Sequence, residues 1–264
     1  MHTITKMYAA LLCFLFNVLT IQSESALAKM TEQRNPTIVL TNHKTEVIKM
    51  KLIGVLADSA TDTAMGKKYL EDRGETVICR AVKETSPECI EFFKKPLEEK
   101  EGFVSGLIAE IKAEGAEAIF VNANSICAQV DLKKLAAEND IKLVTPFDAY
   151  EKLGKELSRP FVFAVTSGSL TGIEASIWKV NPSADVRGAY DLDLAVRIED
   201  GEPPAKIIED CGLRELAIFA EKSGCDGIIF GCTHFPYFKK EMAAVSALQI
   251  MDPADTMYDM LREE

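Results

Sequence analysis

The chain has 264 residues, of which 47% are hydrophobic and 27% charged, the composition of an ordinary globular protein and not of a disordered or collagen-like chain. Its formal net charge of −11 disfavours nucleic acid as a partner, because an acidic surface repels phosphate backbones. Seven cysteines are too sparse for a disulfide scaffold, and with three histidines we expect no metal site.

The amino-terminal segment has the pattern of a signal peptide. An apolar run from Tyr8 to Thr20 is broken only by Asn17, and Ala26-Leu27-Ala28 supplies a small-x-small cleavage site. The run is too short to span a membrane. We therefore predict a signal peptide over residues 1–28, an extension over residues 29–50, and a periplasmic or secreted protein that has no membrane contact after cleavage. The alternative is a start at Met50 and a cytoplasmic protein.

From residue 51 onward, short apolar runs alternate with amphipathic stretches. Leu52–Leu56, Ala118–Val121 and Leu143-Val144 are predicted strands, and the residues 104, 107, 108 and 111 form one apolar face of a helix that ends at Gly115. The order recurs with predicted strands over Phe161–Val165 and Gly227–Phe230 and a helix between them. Strands that alternate with helices predict an α/β fold with parallel sheets.

Three pairs of segments indicate an internal duplication. Segments beginning at residues 52 and 161 lie 109 apart, and so do segments beginning at residues 115 and 224. Thr145-Pro146-Phe147-Asp148 corresponds to Asp252-Pro253-Ala254-Asp255 at a spacing of 107. We predict two pseudo-symmetric, Rossmann-like lobes, one of residues 51–148 plus 245–264 and one of residues 149–244, with an active-site cleft between them.

Small, polar or nucleophilic residues follow the predicted strands. In parallel sheets, ligands bind beyond the carboxyl ends of the strands. The candidate residues there are Asp58, Ser59, Asn124, Ser125, Cys127, Thr166, Cys232, Thr233 and His234.

The segment Gly231-Cys232-Thr233-His234-Phe235-Pro236 carries the strongest chemical signal. Glycine lets the backbone turn tightly, so the thiol is presented at the strand tip. A nearby positive charge would activate that thiol, and His234 could hold a proton or orient a carboxylate.

This segment resembles the second active-site signature of the aspartate/glutamate racemase superfamily. Ile53–Ser59 is similar to the first strand and Asp-Ser turn of glutamate racemases, and Asn124-Ser125 resembles the Asn-Thr of the Cys-Asn-Thr motif. Asp252–Asp255 is similar to the closing segment of the aspartate racemase branch.

The resemblance implies cofactor-independent racemisation of aspartate or glutamate, in which one cysteine removes the α-proton and a second returns it from the opposite face. It places Asn124, Ser125 and Thr233 at the substrate carboxylate and Asp58 and Ser59 near its amine. Thr166 and His234 complete the predicted substrate-binding set. A homodimer is compatible with the sequence, which does not fix the oligomeric state.

The chain departs from the pattern at the first cysteine, because the residue before Asn124 is Ala123. Cys127 lies four residues farther on and is the candidate second thiol beside Cys232; the alternative is that Cys127 only packs under the following helix. In that case Cys232 could act with a partner that is not a cysteine and give slow or altered isomerisation. Two other functions stay open. One is a one-thiol carbanion enzyme similar to the arylmalonate decarboxylases, and the other is a non-catalytic binder of an acidic amino acid.

Overall fold

The computed structural model describes residues 52–263. The predicted signal peptide over residues 1–28 and the extension over residues 29–50 lie outside the described residues. Within the described part, no helix is both long and apolar enough to cross a membrane.

The first sheet contains four parallel strands in the order β2-β1-β3-β4. They are β1 (Ile53–Ala57), β2 (Val77–Ala81), β3 (Ala118–Val121) and β4 (Lys142–Val144). The helices that follow or connect these strands are α1 (Ala60–Glu71), α2 (Ser86–Phe93), α3 (Leu97–Ala113), α4 (Ser125–Gln129) and α5 (Leu132–Glu138). The central strands β1 and β3 are buried along their whole length, as expected for a parallel sheet that is covered on both faces.

The second sheet repeats this arrangement in the order β6-β5-β7-β8, again with all strands parallel. Its strands are β5 (Pro160–Ala164), β6 (Arg187–Tyr190), β7 (Gly227–Gly231) and β8 (Ile250–Met251). The remaining helices are α6 (Pro146–Glu156), α7 (Ser167–Val180), α8 (Asp193–Glu199), α9 (Pro204–Asp210), α10 (Leu213–Lys222), α11 (Lys239–Val245) and α12 (Pro253–Arg262), with a 3-10 turn at Phe235–Phe238. The predicted α/β fold with two similar lobes is confirmed.

The structure adjusts the internal correspondence by two residues at the first strand. Ser59 and Thr166 occupy the same place, because each caps the helix that follows the first strand of its lobe, and they are 107 residues apart. Gly115 and Gly224 both adopt a positive φ, the first before β3 and the second before β7. Equivalent residues of these two strands are therefore 109 positions apart, as predicted. Residues 123 and 232 therefore correspond, as predicted, but Asp58 corresponds to Val165.

Two helices pack against the lobe opposite to the strand that they follow in sequence. Helix α6 comes after β4, yet Tyr150 and Leu153 pack with Val162 and Ile229 of the second sheet. Helix α12 comes after β8, yet Met257 packs with the first sheet. The predicted boundary at residue 245 needs a correction, because β8 at 250–251 pairs with β7 and so belongs to the second sheet. This exchange of helices holds the strand tips of both lobes around one space.

Candidate functional site

A cavity of about 300 Å³ opens beside the carboxyl end of β7. Cys232, Thr233 and His234 form its wall on the second lobe, and Met65 of α1 and Asn122 after β3 face them from the first lobe. The N-terminal part of α12, from Asp252 to Met257, and Tyr150 of α6 complete the wall. The cleft between the lobes is thus present, and three of the predicted site residues line it.

The Cys232 thiol is held close to an imidazole. Its Sγ lies 3.6 Å from Nδ1 of His234, and it accepts a hydrogen bond from the His234 backbone N–H at 3.4 Å. The residue is only 8% exposed, and burial raises the pKa of the thiol to about 12 against the weaker opposing effect of that backbone hydrogen bond. Cys232 therefore rests as a protonated thiol, which can donate a proton.

Two carboxylates flank His234. Its Nε2 lies 3.0 Å from Oε1 of Glu199, the last residue of α8, and its Nδ1 lies 3.7 Å from Oδ1 of Asp62 in α1. The Thr233 hydroxyl donates to the same Asp62 oxygen at 3.4 Å. A proton accepted at Nδ1 would be held between two negative groups, so this arrangement can take the thiol proton when a substrate arrives.

Sequence reasoning missed Glu199 and Asp62. Glu199 lies 33 residues before Cys232 in an unremarkable stretch, and no local signal marks it. Asp62 has a signal, since Ser59 and Asp62 form a capping box at the start of α1. That signal identifies a helix terminus and gives no indication that Asp62 also reaches the second lobe.

Asn124 joins the two lobes. Its Nδ2 donates to the carbonyl oxygen of Gly231 at 3.3 Å, directly before Cys232. The buried Tyr150 hydroxyl donates to Oδ1 of Asn124 at 3.2 Å. The amide of Asn124 is therefore engaged by protein groups on both sides, and a substrate could reach it only by replacing one of them.

The predicted amine-binding residues, Asp58 and Ser59, form their hydrogen bonds within the first lobe. The Asp58 carboxylate accepts the backbone N–H of Ile126 at 3.1 Å and also hydrogen-bonds to Ser125. Burial, and then the nearby Asp62 charge, raise the pKa of Asp58 to about 7. Ser59 is buried and caps α1. Asp58, Ser59 and Ser125 are not among the residues that line the cavity.

Thr166 lies at the corresponding place in the second lobe. Its hydroxyl accepts the backbone N–H of Ser169 and caps α7. It is exposed and is also outside the cavity lining. Its role in substrate binding stays a prediction.

Cys127 is not among the residues that line the cavity. Its Sγ donates to the carbonyl oxygen of Ala123 at 3.1 Å and packs against the core of the first lobe with Ile126. Burial, followed by the Asp58 charge, raises the pKa of the Cys127 thiol well above its usual value. The structure thus places one thiol, Cys232, at the cavity wall, and the catalytic role of Cys127 stays a prediction.

No group of three or more histidine, cysteine, aspartate or glutamate side chains in residues 52–263 is arranged to hold a metal ion. The chemistry that the described residues offer is proton transfer among a thiol, an imidazole and carboxylates.

Comparison with known proteins gives matches at the level of structure. No protein-family model matches the chain, and no curated protein matches it. An aspartate racemase homologue from Pyrococcus horikoshii OT3 matches with a TM-score of 0.60 and 19% identity, over 80% of this chain and 97% of that chain.

Two further structures carry the names of racemases. Glutamate racemase from Francisella tularensis, solved with D-glutamate, has a TM-score of 0.59 and 19% identity, over 81% of this chain and 80% of its own. Allantoin racemase from Klebsiella pneumoniae has a TM-score of 0.57 and 15% identity, over 80% of this chain and 85% of its own. The chain therefore has the fold of the aspartate/glutamate racemases.

Proposed function

We propose that the protein is an isomerase of the racemase type, which transfers a proton at the α-carbon of a small carboxylate without a cofactor. The observation that carries the proposal is the Cys232 thiol at the cavity wall, in contact with His234, which Glu199 orients. The racemase names of the fold's neighbours support it. A protein that only binds its ligand has no need of a thiol and a proton acceptor in contact at the wall.

The proton movements follow from this geometry. When Cys232 acts as a base, its thiol proton passes to Nδ1 of His234, and the thiolate then takes the α-proton of the substrate. When it acts as an acid, the thiol gives its proton to the carbanion, and His234 can return one. The substrate carboxylate must accept hydrogen bonds for the carbanion to be stabilised. The Thr233 hydroxyl and the Asn122 amide are the candidate donors at this end of the cavity. Both already donate to Asp62, the hydroxyl to Oδ1 at 3.4 Å and the amide to the carbonyl oxygen at 2.8 Å, so the substrate would have to share or replace these bonds.

Aspartate and glutamate are the first substrates to assay, because the sequence resemblance implies them and the neighbouring structures include racemases named for them. Racemisation also requires a second group on the opposite face of the α-carbon. The predicted second thiol is Cys127, which would have to leave its contact with Ala123 to act there.

A one-thiol enzyme is the second candidate, and the position of Cys127 favours it. In such an enzyme the substrate loses carbon dioxide, the electron pair of the broken bond stays on the α-carbon, and Cys232 protonates that carbanion from one side. A thiol whose pKa is about 12 is already in the protonated form that this step uses.

The test is incorporation of deuterium from heavy water into the α-position of L- and D-aspartate and L- and D-glutamate, followed by NMR. We expect Cys232→Ala to abolish incorporation and Cys225→Ala, which removes another buried thiol of the same lobe, to leave it intact. Incorporation that survives Cys232→Ala would overturn the proposed role of this thiol.

Two variants then decide between the candidates. If Cys127 is the second thiol, Cys127→Ala abolishes inversion. If the enzyme uses one thiol, the wild type does not invert the substrate and Cys127→Ala leaves the Cys232-dependent activity unchanged. Ala123→Cys, which places a thiol at the position corresponding to Cys232, then introduces inversion.

A further inference from the structure

The cavity beside Cys232 is mostly apolar. Six residues from three helices present aromatic rings, thioethers or proline rings to it: Met65, Tyr69, Pro146, Tyr150, Pro253 and Met257. Its volume of about 300 Å³ is at the lower end of the range for small-molecule sites. Such a wall favours a ligand group that gains by leaving water.

The cations of this wall are already paired. Lys68 contacts Asp72 at 2.9 Å, and Arg73 contacts Asp255 at 2.7 Å. The guanidinium of Arg73 also lies over the Tyr69 ring, 3.6 Å from its centre. A second carboxylate on the substrate would have to displace one of these aspartates to find a positive partner.

A buried carboxylate lies in the same wall. Asp252 is 5% exposed, caps α12 through the backbone N–H of Ala254, and lies 3.6 Å from Nζ of Lys239. Lys239 in turn contacts Asp255. The cations on this side, Arg73 and Lys239, are thus already in contact with aspartates, so a negative side chain finds its positive partners occupied. The α-carboxylate alone would be bound near the thiol, by Thr233 and Asn122 in place of their bonds to Asp62.

From these observations we propose that the substrate is a monocarboxylate whose α-substituent is apolar and of aromatic size. The inference rests on the proposed function, because it takes the α-carbon to lie beside Cys232 so that the substituent enters the cavity. It predicts that an amino acid with an apolar side chain binds better than aspartate or glutamate.

Calorimetric binding to the full chain tests this inference with L- and D-phenylalanine and L- and D-aspartate as probes. The two amino acids share the ammonium and the α-carboxylate, so a difference in affinity reports the side chain alone. We expect phenylalanine to bind at least about tenfold more tightly, because a matched apolar pocket discriminates by such factors. Equal or tighter binding of aspartate, or binding of neither, overturns the inference.

A cavity variant supplies a second readout. Met65→Lys adds a cation to the cavity face of α1, where the side chain is only partly buried. We expect it to weaken phenylalanine binding and strengthen aspartate binding, whereas Leu97→Lys, at an exposed apolar residue on another helix, changes neither. An unchanged preference in folded Met65→Lys, judged by circular dichroism, also counts against the inference.

The deuterium experiment keeps the two proposals separate. Aspartate exchange that depends on Cys232, combined with tighter aspartate binding, supports the proposed function and overturns the apolar substituent. Tighter phenylalanine binding without exchange of any probe supports the substituent class and counts against the proton transfer.

Discussion

The half-buried carboxylate of Asp58 should make the protein less stable as the pH rises. In the folded protein its pKa is raised from 3.8 to about 7, first by burial and then by the Asp62 charge. Between these two values the unfolded chain has lost a proton that the folded chain retains. Stability therefore falls with rising pH over this window, by up to about 1.4 kcal/mol per pH unit, and the penalty is complete above pH 7.

The variant Asp58→Asn removes this titration while it keeps an oxygen to accept the backbone N–H of Ile126. The full penalty for the charge is about 4 kcal/mol when the whole shift is counted. Part of this penalty is already present at pH 5, because the unfolded chain is mostly ionised there. Water at the partly exposed side chain reduces the part that develops above pH 5. We expect the wild type to lose about 2 kcal/mol relative to Asp58→Asn between pH 5 and pH 8.

Urea unfolding of both proteins at pH 5, 6, 7 and 8, followed by circular dichroism, measures the difference. Any fixed cost of the asparagine cancels when the two pH values are compared. Asp140→Asn is the matched control, because the Asp140 side chain is fully exposed and its φ of 49° is one that asparagine adopts readily. A difference between wild type and Asp58→Asn that stays constant, or that changes in the opposite direction, refutes the reasoning.

Two further substitutions test the site and its support. Glu199→Gln keeps the size of the side chain but removes the charge beside His234, and we expect deuterium incorporation to slow about tenfold or more; an unchanged rate would contradict the orienting role of Glu199. Gly231→Ala places a Cβ 3.0 Å from the carbonyl oxygen of Phe163 and should destabilise the protein by about 1 to 3 kcal/mol in urea unfolding. Gly106→Ala is its control, because a Cβ there meets no atom within 4 Å. Alanine at this position should stabilise α3 by about 0.5 to 1 kcal/mol. If both variants changed the free energy of unfolding equally, the close contact at Gly231 would not explain the loss of stability.

The fold could be predicted from the sequence to the extent that its strands are buried. Strands β1, β3, β5 and β7 have every residue buried, so each is a continuous apolar run. The edge strands β2 and β6 were not predicted, because β2 is only partly buried and β6 is largely exposed. Neither strand has the buried apolar run by which β1, β3, β5 and β7 were found. Strand β8 was not predicted either, because it has only two residues. The exchange of α6 and α12 between the lobes also depends on packing, which periodicity along the chain does not report.

The site could be predicted where one segment carries several functional groups. Cys232, Thr233 and His234 are adjacent in sequence and also adjacent at the cavity wall. The position of Ser59 and Thr166 at strand ends was predicted correctly, but both hydroxyls cap helices. A serine or threonine directly before a helix is a favoured N-cap residue, so the sequence also predicts a capping role for both hydroxyls.

The single thiol at the cavity constrains the reaction more strongly than the fold does. Position 123 corresponds to position 232 in the duplicated chain, and the alanine there is only 2% exposed. A protonated Cys232 supplies a proton to one face of a carbanion, but it does not by itself explain how the carbanion forms. Cys127 could turn out of the first lobe to remove a proton, or a group other than a cysteine could remove it. Alternatively, a substrate with two carboxylates on its α-carbon, unlike the monocarboxylate proposed above, could lose one as carbon dioxide, and then no second base is needed. The route through Cys127 requires breaking its contact with the Ala123 carbonyl, whereas loss of carbon dioxide leaves the described structure as it is. Inversion that is lost in Cys127→Ala would therefore show that the first lobe rearranges during turnover.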